Sequence, residues 1–486
     1  GNLLDLVLSD VSSLSCRVLP AMADHNVVEA TLKFSVPRRV VSQRTVWDFA
    51  KADWTNIVQS FALQDFSFLT SDSPSHGAER LTGIILDTVR EFIPQRVLTE
   101  RKSTHPWLNA RVLEAVASKQ NASGTIDELE ASKACSEAVL CEFTKFVGRT
   151  RERLGNIRRG SKQWWKLARQ LLNQRSAPSS VPALQSSTGE WIMDAKAKSM
   201  ELASCFSSKF GFRPAELNEF SAISPARARQ EVFQRPTAAC AEQVLKELRV
   251  DSATGPDGIA ARVLRECSHV LAKPVALLAG RIADTGEWPD LWRSHWVVPL
   301  HKRWSRHVGD HYRGVHLTSQ LSKVLERVLG LSFLPFLHAA VAFGPHQFAY
   351  VPGRGARDAT AYLVMTWIRG FDALRKFGLY CSDVSGAFDK VSRQRLMSKL
   401  RAKGLHDTAL NILCSWLRPR TAQVVVEGAR SEDMTLEDMV FQGTVWGPPL
   451  WNVFFEDARA PINACGFNEI VYADDLNANR QFPLAV

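Results

Sequence analysis

The chain has no CxxC pair among its nine cysteines, and their number is odd. That excludes the common zinc modules and a paired disulfide framework, and reads as reduced thiols in an intracellular protein, nuclear or cytoplasmic and not secreted. No apolar run is long enough to cross a membrane. The nearest, "VLGLSFLPFLHAAVAF", is interrupted by Pro335 and His338. A signal peptide, internal repeats and low-complexity tracts are also lacking. The chain opens on Gly rather than Met, which suggests a piece of a longer reading frame. What remains is 486 residues with 45% hydrophobic and 23% charged content, an ordinary soluble composition with room for two to four domains.

The net charge is +10, and residues 141–175 carry most of it: ten Lys/Arg against two Glu. A local block of this kind points to a polyanionic partner. "RTRERLGNIRRGSKQWWKLARQLL" reads as one helix with Arg151, Arg153, Arg158, Arg159, Lys162 and Lys166 offered to nucleic-acid backbone. Trp164–Trp165 reads as buried core rather than a base-stacking platform.

Residues 1–36 hold two strand-like runs, "LLDLVLS" and "VVEATLKF". Residues 47–175 look mostly helical, with loops near "TSDSPSHG" and "KQNASG", and "RSAPSSVPAL" is a linker. From about 290 the pattern becomes mixed α/β. In "LTSQLSKVLERVLG", Leu321, Val324, Leu325, Val328 and Leu329 share a helical face, with Thr318 or Ser319 as N-cap and Gly330 past the end. Ser392 is expected to cap a helix closed by Gly404, with Val391 and Leu396 stapled across its start. "EIVYA" reads as the last strand.

Asp383 follows a strand-like run, and Asp474–Asp475 follow another. If those strands are neighbours, three carboxylates converge at one sheet edge. Oxygen ligands suit Mg²⁺. Two such ions can serve in-line phosphoryl transfer, holding the attacking and the leaving oxygen.

Six stretches then carry a resemblance. They are "ATGPDGI", "VVPLHKR" with "HYRGVHLTSQLSKVLERVL", "QFAYVPGRGARDA", "SDVSGAFDKV", "FQGTVWGPPLWNVFF" and "YADD". In this order they resemble the motifs of non-LTR (LINE-type) retrotransposon reverse transcriptases, over residues from about 180 to 476. The resemblance implies an α+β fold, the fingers and palm of a right-hand polymerase, incomplete for want of a thumb. It implies metal ligation and catalysis by Asp383, Asp474 and Asp475 with two Mg²⁺, or Mn²⁺ in their place. It places Lys302 and Arg313 on the nucleotide triphosphate, Phe388 against a ribose 2′-hydroxyl, and Gln442 and Gly443 beside the incoming dNTP. RNA template and DNA primer are the implied partners, with no membrane. "MADHNVV" resembles the end of an apurinic-type endonuclease/exonuclease/phosphatase domain, in which Asp24 would orient His25 toward a scissile phosphate. The implied domains are an endonuclease tail at 1–36, a helical basic linker at 37–180 and the polymerase at 181–486.

There are departures. Gly314 stands where a Pro is usual, and Trp446 and Trp451 replace smaller residues expected near the nucleotide. After Leu476 the return strand, normally apolar, reads "NANRQFPLAV". The expectation is therefore a loosely braced acid pair and a fragment that polymerises poorly and does not cut DNA. A non-catalytic nucleic-acid-binding remnant of a decayed retroelement stands as the alternative, and a maturase-type protein as a weaker third.

Overall fold

The computed structural model describes residues 14–20, 27–32, 43–99, 105, 107–171, 181–186, 188–210 and 229–483. The chain divides into two units, residues 1–46 with 96–142 and residues 47–95 with 143–486.

In the first unit, strands Leu14–Leu19 and Val27–Leu32 pair antiparallel, with Leu19 opposite Val27. The first of them is not the "LLDLVLS" run, which lies outside the described residues. So do Asp24 and His25. Asn109 caps the Ala110–Asn121 helix by accepting from the Val112 N–H at 3.1 Å.

Besides a short pairing of Leu184–Gln185 with Trp191–Ile192, two larger sheets of the second unit frame the site. In one, β1 (Ser294–His301) pairs antiparallel with β2 (Tyr312–Leu317), which places Leu300 opposite Arg313. In the other, β3 (Arg375–Ser382) lies at one edge. The first sheet continues with β4 (Arg420–Val426), parallel to β1 and extended by the short strands Ala429–Arg430 and Met434–Leu436. The second continues with β5 (Asn468–Tyr472) and β6 (Asp475–Pro483), in the order β5-β6-β3, all antiparallel.

Helix α1 (Gln320–Gly330) forms as its periodicity requires. Leu321, Val324, Leu325, Val328 and Leu329 are all buried, and Ser319 accepts from the Ser322 N–H at 3.0 Å as N-cap. Each such side chain contributes about 1.5–3 kcal/mol relative to exposure. Gly330 lies inside the helix, not past it, and Leu331 is the C-cap. Helix α2 (Ala356–Asp372) lies on the second sheet, where Gly370 admits the Phe377 ring in space that a Cβ would fill. Helix α3 (Arg393–Ala402) is capped by Ser392 and closes at Gly404, whose φ is 78°. Helix α4 (Gly447–Phe455) begins with the two prolines in its first turn, where a missing N–H costs nothing.

Three expectations are corrected. The last strand is β6, not "EIVYA". β6 forms a strand despite its polar side chains because it is central: both edges are hydrogen-bonded, so its backbone is satisfied. Leu476 and Ala478 are buried, and buried Asn479 donates to the Asn468 carbonyl at 3.3 Å. The acid pair is therefore braced. Second, the loop drawn across "TSDSPSHG" gives way to helix at Pro74, capped by Ser73. Third, the basic run is two helices. One ends at Gly155 and the next begins at Lys162, separated by Gly160 at φ 80°.

Candidate functional site

The pairing of β3 with β6 brings the acids together. Ser382 ends β3 opposite Leu476, so Asp383 continues alongside Asp475. Adjacent strands lie about 4.7–4.9 Å apart. Tyr472 pairs with Asp475, which leaves Ala473 and Asp474 as a two-residue turn. A cleft of ≈ 400 Å³ lies beneath α2, and Asp383, Asp475, Thr360 and Asn477 line it. Asp474 occupies the turn itself. Burial raises its pKa, its own backbone N–H lowers it, Asp475 and Asp383 raise it, and Lys302 lowers it. So Asp383, Asp475 and Lys302, from three separate segments, all act on Asp474. Among the described residues no three His, Cys, Asp or Glu side chains close into a ready metal cage. The donor set still fits Mg²⁺, which takes one or two carboxylates and keeps its waters.

Ala473 has a φ of 60°. For a residue with a Cβ this left-handed region costs about 1–2 kcal/mol. Three hydrogen bonds hold it there. The Ala473 N–H donates to Gln347 Oε1 at 3.0 Å, and the Ala473 carbonyl accepts from Gln347 Nε2 at 3.4 Å and from Trp451 Nε1 at 3.2 Å. Gln347 is fully buried, and its segment runs parallel to β5 through a bridge to Val471. Sequence reasoning missed Gln347. It took "QFAYVPGRGARDA" only as one of the resembling stretches, and a lone buried Gln carries no periodic signal.

The β1–β2 hairpin carries the basic residues. Lys302 is exposed and follows β1, its N–H bonded to the His311 carbonyl at 2.9 Å; Arg313 is exposed on β2. Gly314 has a packing reason, since a Cβ there would stand 2.6 Å from Val297 Cγ1.

The Gln442–Trp446 loop lies between β2 and α1. Gly443 has a φ of 82°, and a Cβ on it would stand 2.5 Å from the His316 carbonyl oxygen. Gln442 Nε2 donates to Asp389 Oδ1 at 3.4 Å. Burial, offset in part by Lys209 and that hydrogen bond, raises the Asp389 pKa to about 6. The buried Glu326 carboxylate accepts from the Val445 N–H at 2.6 Å and the Trp446 N–H at 3.3 Å, which ties the loop to α1. Trp446 is a core residue, packed on Trp288, Trp416 and Phe333, and so is not a nucleotide neighbour. Phe388 is half-buried and stacked on Trp451, ring centroids 5.8 Å apart. Trp451 thus touches both Phe388 and the acid turn. Behind Gly443, His295 and His316 are buried with their Nδ1 atoms 3.1 Å apart, and Arg420 Nη1 is 2.9 Å from His295 Nε2.

In the basic segment Arg151, Arg153, Arg158 and Arg159 are exposed, and Lys162 opens the second helix, with Lys166 one turn on. The tryptophan pair is not core. Trp165 is 53% exposed and meets Trp164 edge-on at 4.8 Å, because the break at Gly160 leaves a short helix with a solvent face.

Comparison with known proteins follows the same line. Residues 305–479 match the family described as "Reverse transcriptase (RNA-dependent DNA polymerase)". The chain is 24% identical over 328 residues to the RNA-directed DNA polymerase from mobile element jockey of Drosophila melanogaster, covering 64% of this chain and 35% of that protein. It is 25% identical over 241 residues to the probable RNA-directed DNA polymerase from transposon BS of the same species, covering 48% and 26%. It is 25% identical over 272 residues to the Pol polyprotein from type-1 retrotransposable element R1 of Bradysia coprophila, covering 54% and 26%. The chain therefore spans 26–35% of the length of these relatives. On these matches and this sheet, the chain carries a reverse transcriptase domain of the kind found in non-LTR retrotransposon RNA-directed DNA polymerases.

Proposed function

We propose that residues 181–486 form the fingers and palm of an RNA-directed DNA polymerase that extends a DNA primer on an RNA template. Residues 37–180 would be a basic linker that grips nucleic acid, and residues 1–36 the tail of an endonuclease domain. The observation that carries this reading is the β3–β6 pairing, which sets Asp383 beside Asp474–Asp475 with the Lys302 charge acting on Asp474.

Asp383 and Asp474 would hold two Mg²⁺, with Asp475 a less direct third carboxylate. When bound, the ions would supply charge stabilisation at the attacking and leaving oxygens. Lys302 and Arg313 would neutralise the β- and γ-phosphates of a dNTP while a primer 3′-hydroxyl attacks the α-phosphate, a stabilisation greatest in the transition state. Gln442, fixed by Asp389, and Gly443, seated on the His316 carbonyl, would border the nucleotide. Phe388, backed by Trp451, would exclude a 2′-hydroxyl.

The test is primer extension on an RNA template by the full chain and by Asp474→Asn. Extension should need Mg²⁺ or Mn²⁺ and vanish in the variant, while RNA binding stays within about twofold, since basic residues carry the backbone contacts. Extension that survives the substitution would sink the assignment.

A further inference from the structure

Asp474 lies on a turn that its own sequence does not favour. The residue before it is Ala at φ 60°, where Gly would sit at least cost. The compensation comes from two distant segments. Gln347, 126 residues earlier in sequence, grips both the N–H and the carbonyl of Ala473. Trp451, 22 residues earlier, adds its indole N–H to that carbonyl. Gln347 is itself locked. Its Oε1 also accepts from the Ala349 N–H at 3.1 Å, and the flanking backbone is bonded to Val471 from both sides. Asn452, next to Trp451, donates to the Ala349 carbonyl at 2.9 Å, which joins the two grips. A primary amide is suited to this because it presents one acceptor and two donors in a plane and so matches a peptide unit.

We propose that Gln347 and Trp451 are positioning residues that hold the Ala473–Asp474 turn in its left-handed form and thereby aim the Asp474 carboxylate at its cation. Without them the turn relaxes toward ordinary backbone angles, and the Asp474 side chain leaves the Asp383 side of the sheet edge. The proposal rests on the metal-ligand role given to Asp474 above, and goes beyond it by naming what sets that carboxylate's direction.

The experiment uses the full chain with Mn²⁺ as probe. Mn²⁺ affinity is read by electron paramagnetic resonance of the free ion, and hydrogen exchange of the Ala473 amide is read in the same samples. Gln347→Leu removes the hydrogen bonds at near-constant volume. Trp451→Phe removes one donor and keeps a ring against Phe388. Both should fold. Gln347→Leu should weaken Mn²⁺ at least tenfold and expose the Ala473 amide, and Trp451→Phe should do less. Adding Ala473→Gly to Gln347→Leu should recover most of the affinity, because Gly adopts the turn without a clamp; a merely structural defect would not be rescued there. Unchanged Mn²⁺ affinity and unchanged Ala473 exchange in folded Gln347→Leu would overturn the proposal, as would a loss of affinity that Ala473→Gly leaves untouched. If Gln347→Leu does not fold, Trp451→Phe and Ala473→Gly decide: affinity lost in the former and regained in their combination supports the clamp, and no loss overturns it. If the wild type binds no Mn²⁺, the metal role of Asp474 falls, and the aiming proposal with it.

Discussion

Acid should unfold this protein through the histidine pair behind Gly443. The His316 ring is buried between β1, β2 and the Gln442 loop, and burial first, then the Arg420 charge, holds its pKa down to about 4. His295 is pushed well below the ordinary range by burial, then by Arg420 and His316. Arg420 is fixed by the Trp416 carbonyl at 2.9 Å and lies over the Phe441 ring, so it cannot move away. In the unfolded chain both histidines titrate near 6.5. The folded values are lower, so the unfolded state takes up protons first. The stability that this neutrality provides is complete above about pH 6.5 and drains away as pH falls toward 4. At 1.36 kcal/mol per pKa unit, His316 alone accounts for about 3 kcal/mol over that window. Urea unfolding of the full chain, followed by tryptophan fluorescence between pH 7.5 and 4, measures it, since Trp416 and Trp446 lie in the same core. His316→Gln is the reference, because it removes that ring and leaves His295 buried beside Arg420. Wild type should lose about 3 kcal/mol more than the variant between pH 7 and 4. Parallel pH profiles would show that the buried pair is not what acid attacks.

Three further outcomes follow. Gly443→Ala should cost far more stability than Gly386→Ala. Both sit at positive φ, but a Cβ on Gly386 meets nothing nearer than 3.8 Å, whereas at Gly443 it meets the His316 carbonyl oxygen at 2.5 Å; equal melting temperatures would refute the steric argument. Phe388→Ala should lower deoxyribose-over-ribose selectivity in primer extension at least tenfold, and an unchanged ratio would remove the gate. Replacing Arg151, Arg153, Arg158 and Arg159 by Ala should flatten the log–log salt dependence of RNA binding by about 0.7 for each phosphate no longer neutralised, and an unaltered slope would make them a solvated face only.

What the sequence disclosed depended on whether a residue's role had a periodic or ordered signature. Five aliphatics at helical spacing announced α1, and acids after two strand-like runs announced a shared sheet edge. β6 did not announce itself. Its stability comes from hydrogen bonds to two neighbours, and Asn, Ala and Arg at its positions look like coil until those neighbours are known. Gln347, Asp389 and Glu326 were invisible for a related reason. Each acts on a segment more than 50 residues away, and no window of sequence contains both ends. The basic run was legible as charge but not as shape, because Gly155 and Gly160 were outweighed by the helix formers around them.

The central place of β6 also sets where the chain can change length. One residue inserted between Leu476 and Phe482 would shift the register against β5 and β3 at once and turn the buried Leu476–Ala478 side outward along two seams. One residue inserted after Gly404 would fall where no ladder is counting. A systematic insertion scan should therefore show tolerance in the loops between Asp383 and Asp474, and troughs both at Arg420–Val426, which keeps three strands in step, and from Asn468 to Pro483. In this sheet, vulnerability to a shift is governed by the number of neighbours a strand must keep in step, not by closeness to the acids.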